Sequence, residues 1–348
     1  MSCPGARAPR IPLLCLAATL LLGTNAAFAA TAYVGEPVMG TVLDVTVVAT
    51  SPDGARELAH AAIDVARHWD DVLTTWRAQG ELAQLNARAG QGPFPISADL
   101  ALALVRMLAL SHATHGAFDP GIGAIVEALR RGDADGRAPA VPSASHIGDV
   151  LDLGRGTASL AAHTRLDAGA IGKGIALDAI GAYLRSHDAR AWFLDFGGSS
   201  QLASGRPENA DAWNVLIAGE RPDSTHGFVE LRSGSLSTSR AAAAFDPAGA
   251  IVDPRTATAV TPPRLATVLA PDATSADAWS TALVVLGRGG LEWARAAGVE
   301  ALVEDAAGTA TTPGFPLTRS QHATVKAARD GVAESRPRWP RTGSRGSR

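Results

Sequence analysis

Asp277 and Thr281 stand four residues apart in Thr274-Ser-Ala-Asp-Ala-Trp-Ser-Thr-Ala282, so a helix there turns two oxygens to one face. Oxygen donors of this kind suit Mg²⁺, which takes few protein ligands and keeps water or phosphate as the rest. The same residues also read as a capping box, with Thr274 as the cap and Asp277 as its acidic partner. A second candidate is Leu166-Asp-Ala-Gly-Ala-Ile-Gly-Lys-Gly-Ile-Ala-Leu-Asp178. Its small residues let backbone approach a ligand closely, and Lys173 sets a cation beside amides at a helix start. The alternative is a tight strand–helix turn with an exposed lysine. Lys173 stands out because only it and Lys326 are lysine among 31 basic residues. Two more segments are unusual. Thr114-His-Gly-Ala-Phe-Asp-Pro120 ends a helix at a glycine and an Asp-Pro turn, and Phe193-Leu-Asp-Phe-Gly-Gly-Ser199 runs a strand into paired glycines.

Other chemistries are excluded by what the chain lacks. It has no H-E-x-x-H, C-x-x-C or G-x-S-x-G. Gly172-Lys173-Gly174 is not followed by the Ser or Thr of a phosphate loop, and Gly121-Ile-Gly123 lacks the third glycine of a dinucleotide fingerprint. His112 and His115 have no third ligand nearby in sequence and read as a polar helix end. With 348 residues, 46% hydrophobic content, 19% charged residues and a formal charge of −3, the chain is neither a strongly basic nucleic-acid binder nor a disordered acidic polymer.

Residues 1–30 read as a cleaved secretory signal: Arg7 and Arg10, an apolar run from Ile11 to Leu22, then Ala-Ala-Phe-Ala-Ala30. Leu14 before Cys15 argues against lipidation there. Both cysteines, Cys3 and Cys15, leave with this segment, so the expected mature protein has no disulfide and no thiolate nucleophile. Residues 31–330 form the expected folded body. Residues 331–348, with Arg336, Arg338, Arg341, Arg345 and Arg348, are expected to be a disordered basic tail.

The candidate groups need elements to place them. Thr41–Ala49 is β-branched and nearly alternating, which predicts a strand. Ser51-Pro-Asp-Gly predicts a turn, and apolar spacing predicts helices over Ala55–Leu73, Asp99–Ala113 and Asp277–Leu286. Leu166–Arg185 reads as a turn entering a helix, and Arg131–Ser145 as a loop. Short strands are expected at Trp192–Phe196, Trp213–Ala218, Phe228–Leu231 and Leu265–Leu269. Helices and strands are mixed without a regular βαβ rhythm, which predicts an α+β fold rather than a doubly wound sheet.

Taken in order, these segments resemble the ApbE family of FAD:protein FMN transferases over about Tyr33 to Glu304. The resemblance rests on Met39-Gly-Thr41, Gly80-Glu-Leu-Ala-Gln-Leu-Asn86, Gly116-Ala-Phe-Asp-Pro120, Asp167–Asp178, Gly197-Gly198, Val252-Asp-Pro-Arg-Thr256 and Ala276-Asp-Ala-Trp-Ser-Thr281. It implies a T-fold-like α+β domain that holds FAD and Mg²⁺, passes FMN to a threonine of a redox partner, and releases AMP. By that resemblance Asp277, Thr281 and the main-chain oxygen of Ala170 match Mg²⁺ ligands. Met39, Trp76, Ala117, Phe118, Asp119, Asp167, Lys173 and Val252 match the FAD site, and Lys173 and Asp277 carry the catalysis. Trp76 is read both as a stacking platform and as ordinary core. Two departures stand out: Ala250 replaces a histidine usual in the family, and Ser239-Arg240 replaces Ser-Gly. A lost proton acceptor costs about 10²–10⁴ in rate, and Asp246 or His226 is a candidate substitute. The competing readings are an FAD pyrophosphatase and a non-catalytic flavin-binding protein. Export implies the periplasm, free or at the inner membrane.

Overall fold

The computed structural model describes residues 29–128, 145–221, 224–241 and 251–318. Residues 1–28 of the expected signal, 131–144 of the expected loop, the tail, Asp246 and Ala250 lie outside these residues, while Ala30 already opens β1. Fifteen strands are described: β1 (Ala30–Val38), β2 (Thr41–Ala49), β3 (Phe94–Pro95), β4 (Leu151–Leu153), β5 (Thr157–Leu160), β6 (Ala191–Phe196), β7 (Ser200–Ser204), β8 (Trp213–Ala218), β9 (Thr225–Leu231), β10 (Ser233–Ala241), β11 (Val252–Asp253), β12 (Thr258–Ala259), β13 (Arg264–Ala270), β14 (Glu300–Asp305) and β15 (Gly308–Thr311). The α-helices that lie wholly within the described residues are α1 (Pro52–Leu73), α2 (Glu81–Ala87), α3 (Ala98–Ala113), the single turn α4 (Ile147–Val150), α5 (Gly172–Ser186), α6 (Ala273–Leu286) and α7 (Leu291–Ala296).

An eight-stranded sheet in the order β1-β2-β6-β7-β10-β13-β14-β15 organises the molecule, and its described neighbours are all antiparallel. This is the expected α+β architecture. Alternation along the strands feeds both faces. Leu43, Val45 and Val47 of β2, Ala266 and Val268 of β13, and Ala301 and Val303 of β14 join the main core with α1, α5 and α6. Leu236, Leu265 and Leu302 face the other way and are covered by Val215, Ile217, Val229 and Leu231 of the β8–β9 hairpin.

Local chemistry sets the helix starts. Ser51-Pro-Asp-Gly is the first turn of α1 rather than a separate turn: the Ser51 side chain accepts from Gly54 N, and Pro52 occupies the first helical position, where no N–H is needed. At α6 the cap is Asp272, which accepts from Ser275 N, so the helix begins four residues before the expected Asp277. Thr274 is not a cap. Its hydroxyl donates to Asp178, and the capping-box reading is thereby corrected.

Candidate functional site

Four turns and helix ends converge beside the helical face of the sheet. The β1–β2 hairpin closes through Met39 and Gly40, both at positive φ (51° and 76°), the geometry of a two-residue hairpin that follows the sheet twist. Met39 carries strain there that a glycine would not. Its methyl group stands 3.3 Å from where a Cβ on Gly172 would lie, so the hairpin turn rests against the start of α5. A cleft of about 480 Å³ opens at this junction, lined by Met39, Trp76, Arg77, Asp167, Gly172 and Lys173 among others.

Four of the sequence-predicted flavin-site residues, Met39, Trp76, Asp167 and Lys173, therefore share one cleft. Trp76 is 73% exposed, which removes the core reading and leaves its ring on the cleft wall. Lys173 is half-buried and makes no hydrogen bond or ion pair among the described residues. Arg77 also lines the cleft, but Asp70 and Asp71 bind its guanidinium and hold its pKa further up. Asp167 begins the turn into α5, its carboxylate accepting from Gly169 N. The turn is held from outside: Asn86 donates to the Leu166 carbonyl at 2.9 Å and accepts from Leu166 N at 2.8 Å. Glu81 anchors the same short helix, accepting from the backbone and hydroxyl of Ser97.

Asp277 lies just behind the cleft and is 3% exposed. Its Oδ2 accepts from Gly174 N at 2.7 Å, one residue beyond the cleft-lining Lys173. Its Oδ1 accepts from Ser200 Oγ at 2.7 Å and Ser237 Oγ at 2.6 Å. No basic side chain pairs with it among the described residues. Thr281, one turn on, has Ser239 Oγ 3.2 Å from its hydroxyl, and Ala170 is half-buried two residues before α5. The two helices that carry these groups are locked together. Gly174 permits the approach, since a Cβ there would stand 2.3 Å from the Ala273 carbonyl oxygen. Asp178 on α5 accepts from Ala273 N, Thr274 N and Thr274 Oγ1. Burial pushes the Asp178 carboxyl above the usual range, against the pull of those donors.

Oxygen donors of three kinds, carboxylate, hydroxyl and carbonyl, meet the chemistry of a hard divalent cation. A carboxylate has about four lone-pair sites, and three of those on Asp277 are taken, leaving one on Oδ2. A buried anion with one open acceptor and no basic partner fits a cation ligand. Among the described residues no three His, Cys, Asp or Glu side chains form a metal-holding group, so such a site has to draw on hydroxyl and backbone oxygens.

A family model described as the ApbE family matches residues 39–303. The chain belongs to the ApbE family. It is 32% identical over 290 residues to the FAD:protein FMN transferase of Treponema pallidum, covering 72% of this chain and 78% of that protein. It is 32% identical over 279 residues to the FAD:protein FMN transferase of Rhodobacter capsulatus, covering 75% of this chain and 52% of the other. Its fold matches the ApbE protein of Thermotoga maritima with a TM-score of 0.74, at 21% identity over 82% of this chain and 98% of that one. The flavin transferase ApbE from Vibrio cholerae matches with a TM-score of 0.71, at 20% identity over 83% and 100%.

Other positions singled out from the sequence fall elsewhere in this ApbE-family chain. Ala117, Phe118 and Asp119 are buried, and none of them lines the Met39–Lys173 cleft. Asp119 accepts from Ser111 Oγ, Gly121 N and Ile147 N and pairs with His146, so it ties α3 to α4. Val252 is buried in the β11–β12 hairpin opposite Ala259. His226 binds Glu304 on the hairpin-covered side of the sheet and is not brought to Asp277. Arg240 follows Ser239 on β10 and so points to the opposite face, where it donates to the carbonyls of Gly219 and Glu220. The Ser-Arg departure thus keeps its bulk away from Thr281. Ser200 and Ser237 carried no signal in the sequence, whereas Asp178, Glu81 and Asn86 lay in the Asp167–Asp178 and Gly80–Asn86 stretches of the family resemblance without their own roles being read.

Proposed function

We propose that this protein is an FAD:protein FMN transferase that moves FMN from FAD to a threonine hydroxyl of an acceptor protein and releases AMP. The observation that carries the reading is the cleft that gathers Met39, Trp76, Asp167 and Lys173, which is unpartnered among the described residues, in front of the buried Asp277, in a chain of the ApbE family. Relatives named FAD:protein FMN transferase support FAD as donor and a protein as acceptor. To these we add a threonine target, AMP release and a Mg²⁺ requirement, with a redox or electron-transport subunit as the partner.

In the proposed reaction the acceptor oxygen forms a bond to the FMN phosphorus while the pyrophosphate bridge bond breaks. AMP departs with the bridging oxygen, and the acceptor's hydroxyl proton is released. Such a transfer needs charge neutralisation and in-line placement more than a covalent nucleophile, and the body of this chain has no cysteine to offer one. Lys173 lies in the cleft with no ion pair among the described residues and binds a phosphate oxygen. Trp76 offers a ring face to an aromatic heterocycle of the dinucleotide. Mg²⁺ would be held by Asp277, Thr281 and the Ala170 carbonyl, and would neutralise the pyrophosphate charge. The signal-like residues 1–30 support action in the periplasm, free or at the inner membrane.

Chromatography of FAD incubated with the protein and Mg²⁺, with and without acceptor, tests this reading. AMP appearing only with acceptor, and ceasing with EDTA, supports transfer. AMP formed equally without acceptor would replace it with a pyrophosphatase, and FAD retained intact would replace it with a flavin carrier.

A further inference from the structure

Asp277 is fixed by groups that neither its motif nor the cleft names. Ser200 is on β7 and Ser237 on β10, neighbouring strands of the sheet, and both hydroxyls point at the same carboxylate oxygen. Ser200 and Ser237 are almost wholly buried, so these hydroxyls have no bulk water to turn to. The network continues along the helix. Ser280 Oγ donates to the Asp277 carbonyl and lies 2.7 Å from Ser239 Oγ, which reaches Thr281.

We propose that Ser200 and Ser237 are positioning residues that hold Asp277 with its one open lone pair on Oδ2, so that it binds a cation through a single oxygen. The inference rests on the reading of Asp277 as a Mg²⁺ ligand. Two donors on Oδ1 and the Gly174 N–H on Oδ2 stop rotation of the carboxylate. They also block its bidentate use, because both Oδ1 sites are filled. Without the two hydroxyls a single hydrogen bond remains, and the carboxylate has to be ordered when the cation binds. Loss of such supporting partners typically weakens metal affinity about 10- to 100-fold.

The test uses the full chain stripped of metal with EDTA and titrated with Mg²⁺ alone, following the melting temperature, alongside KM for Mg²⁺ and for FAD. Ser200→Ala, Ser237→Ala and the double variant are compared with Ser237→Thr, which keeps the hydroxyl, and with Asp277→Ala. The expected result is a Mg²⁺ midpoint raised about 10- to 100-fold in the double variant, with KM for FAD unchanged and the midpoint restored in Ser237→Thr. If the double variant does not fold, the single variants carry the same comparison with smaller shifts. Serine variants that titrate like wild type, beside an unresponsive Asp277→Ala, would overturn the positioning role and leave the cation ligand standing. An Asp277→Ala protein that still responds like wild type would overturn both.

Discussion

A carboxylate buried as deeply as Asp277 costs several kcal/mol to keep charged. Three hydrogen bonds to a charged acceptor, each worth about 1.5–3 kcal/mol, offset most of that. The carboxylate still has one acceptor position to give. Lys173 is the complementary case, a cation in the cleft with no partner among the described residues. Because it has no structural contact of this kind to lose, Lys173→Ala should fold normally and lower the transfer rate by about 10²–10³. Steady-state rates read beside melting curves check this, and a large drop in melting temperature would assign Lys173 to stability instead. Trp76→Ala should weaken FAD binding by about 0.5–1.5 kcal/mol. Quenching of flavin fluorescence measures it, and unchanged affinity would remove the ring from the contact.

At the scale of elements, the junction of α5 and α6 decides whether Lys173 and Asp277 can work together. Gly174→Ala drives a Cβ into backbone, so it should cost about 1–3 kcal/mol of stability and shift the Mg²⁺ midpoint as well. Denaturant melts with and without Mg²⁺ separate the two effects. The β11–β12 hairpin gives a pH test. Arg255 hydrogen-bonds the Asp253 carboxylate through two nitrogens and holds its pKa below the usual range. A lowered folded pKa contributes stability above the usual carboxylate range, and that stability is lost as pH falls through the lowered value. Arg255→Ala should then cost about 0.2–1 kcal/mol near neutral pH, with the gap to wild type closing under acid conditions in paired thermal melts. The elements themselves were unevenly legible. Strand β2 and helices α1, α3 and α5 show plainly in periodicity, because apolar residues mark their buried faces. Strands β7 and β10 do not: Ser200-Gln-Leu-Ala-Ser204 and Ser233-Gly-Ser-Leu-Ser-Thr-Ser-Arg-Ala241 have the composition of loops. Buried Ser200 and Ser237 are satisfied by Asp277 and buried Ser235 by the Gln201 carbonyl, long-range pairings that local propensity does not carry.

Over the whole molecule, one sheet separates two tasks. Its helical face bears the cleft and Asp277, and its hairpin face holds Arg240, His226 and Glu304 in structural bonds. That division accounts for how the Ser239-Arg240 departure is accommodated, and it removes His226 as a stand-in for the missing histidine at Ala250. Asp277, Thr281 and Lys173 were legible as chemistry because their spacing and rarity mark them. Ala117, Phe118 and Asp119 were legible only through family resemblance, and packing rather than the cleft accounts for their burial. FMN transfer to protein is the proposed activity from which the rest follows. Its most direct measurement is the intact mass of a threonine-bearing redox-subunit acceptor after incubation with the full chain, FAD and Mg²⁺. The expected result is a gain of one FMN on a threonine, absent with Asp277→Ala. An acceptor of unchanged mass beside fully folded, flavin-loaded protein would contradict it.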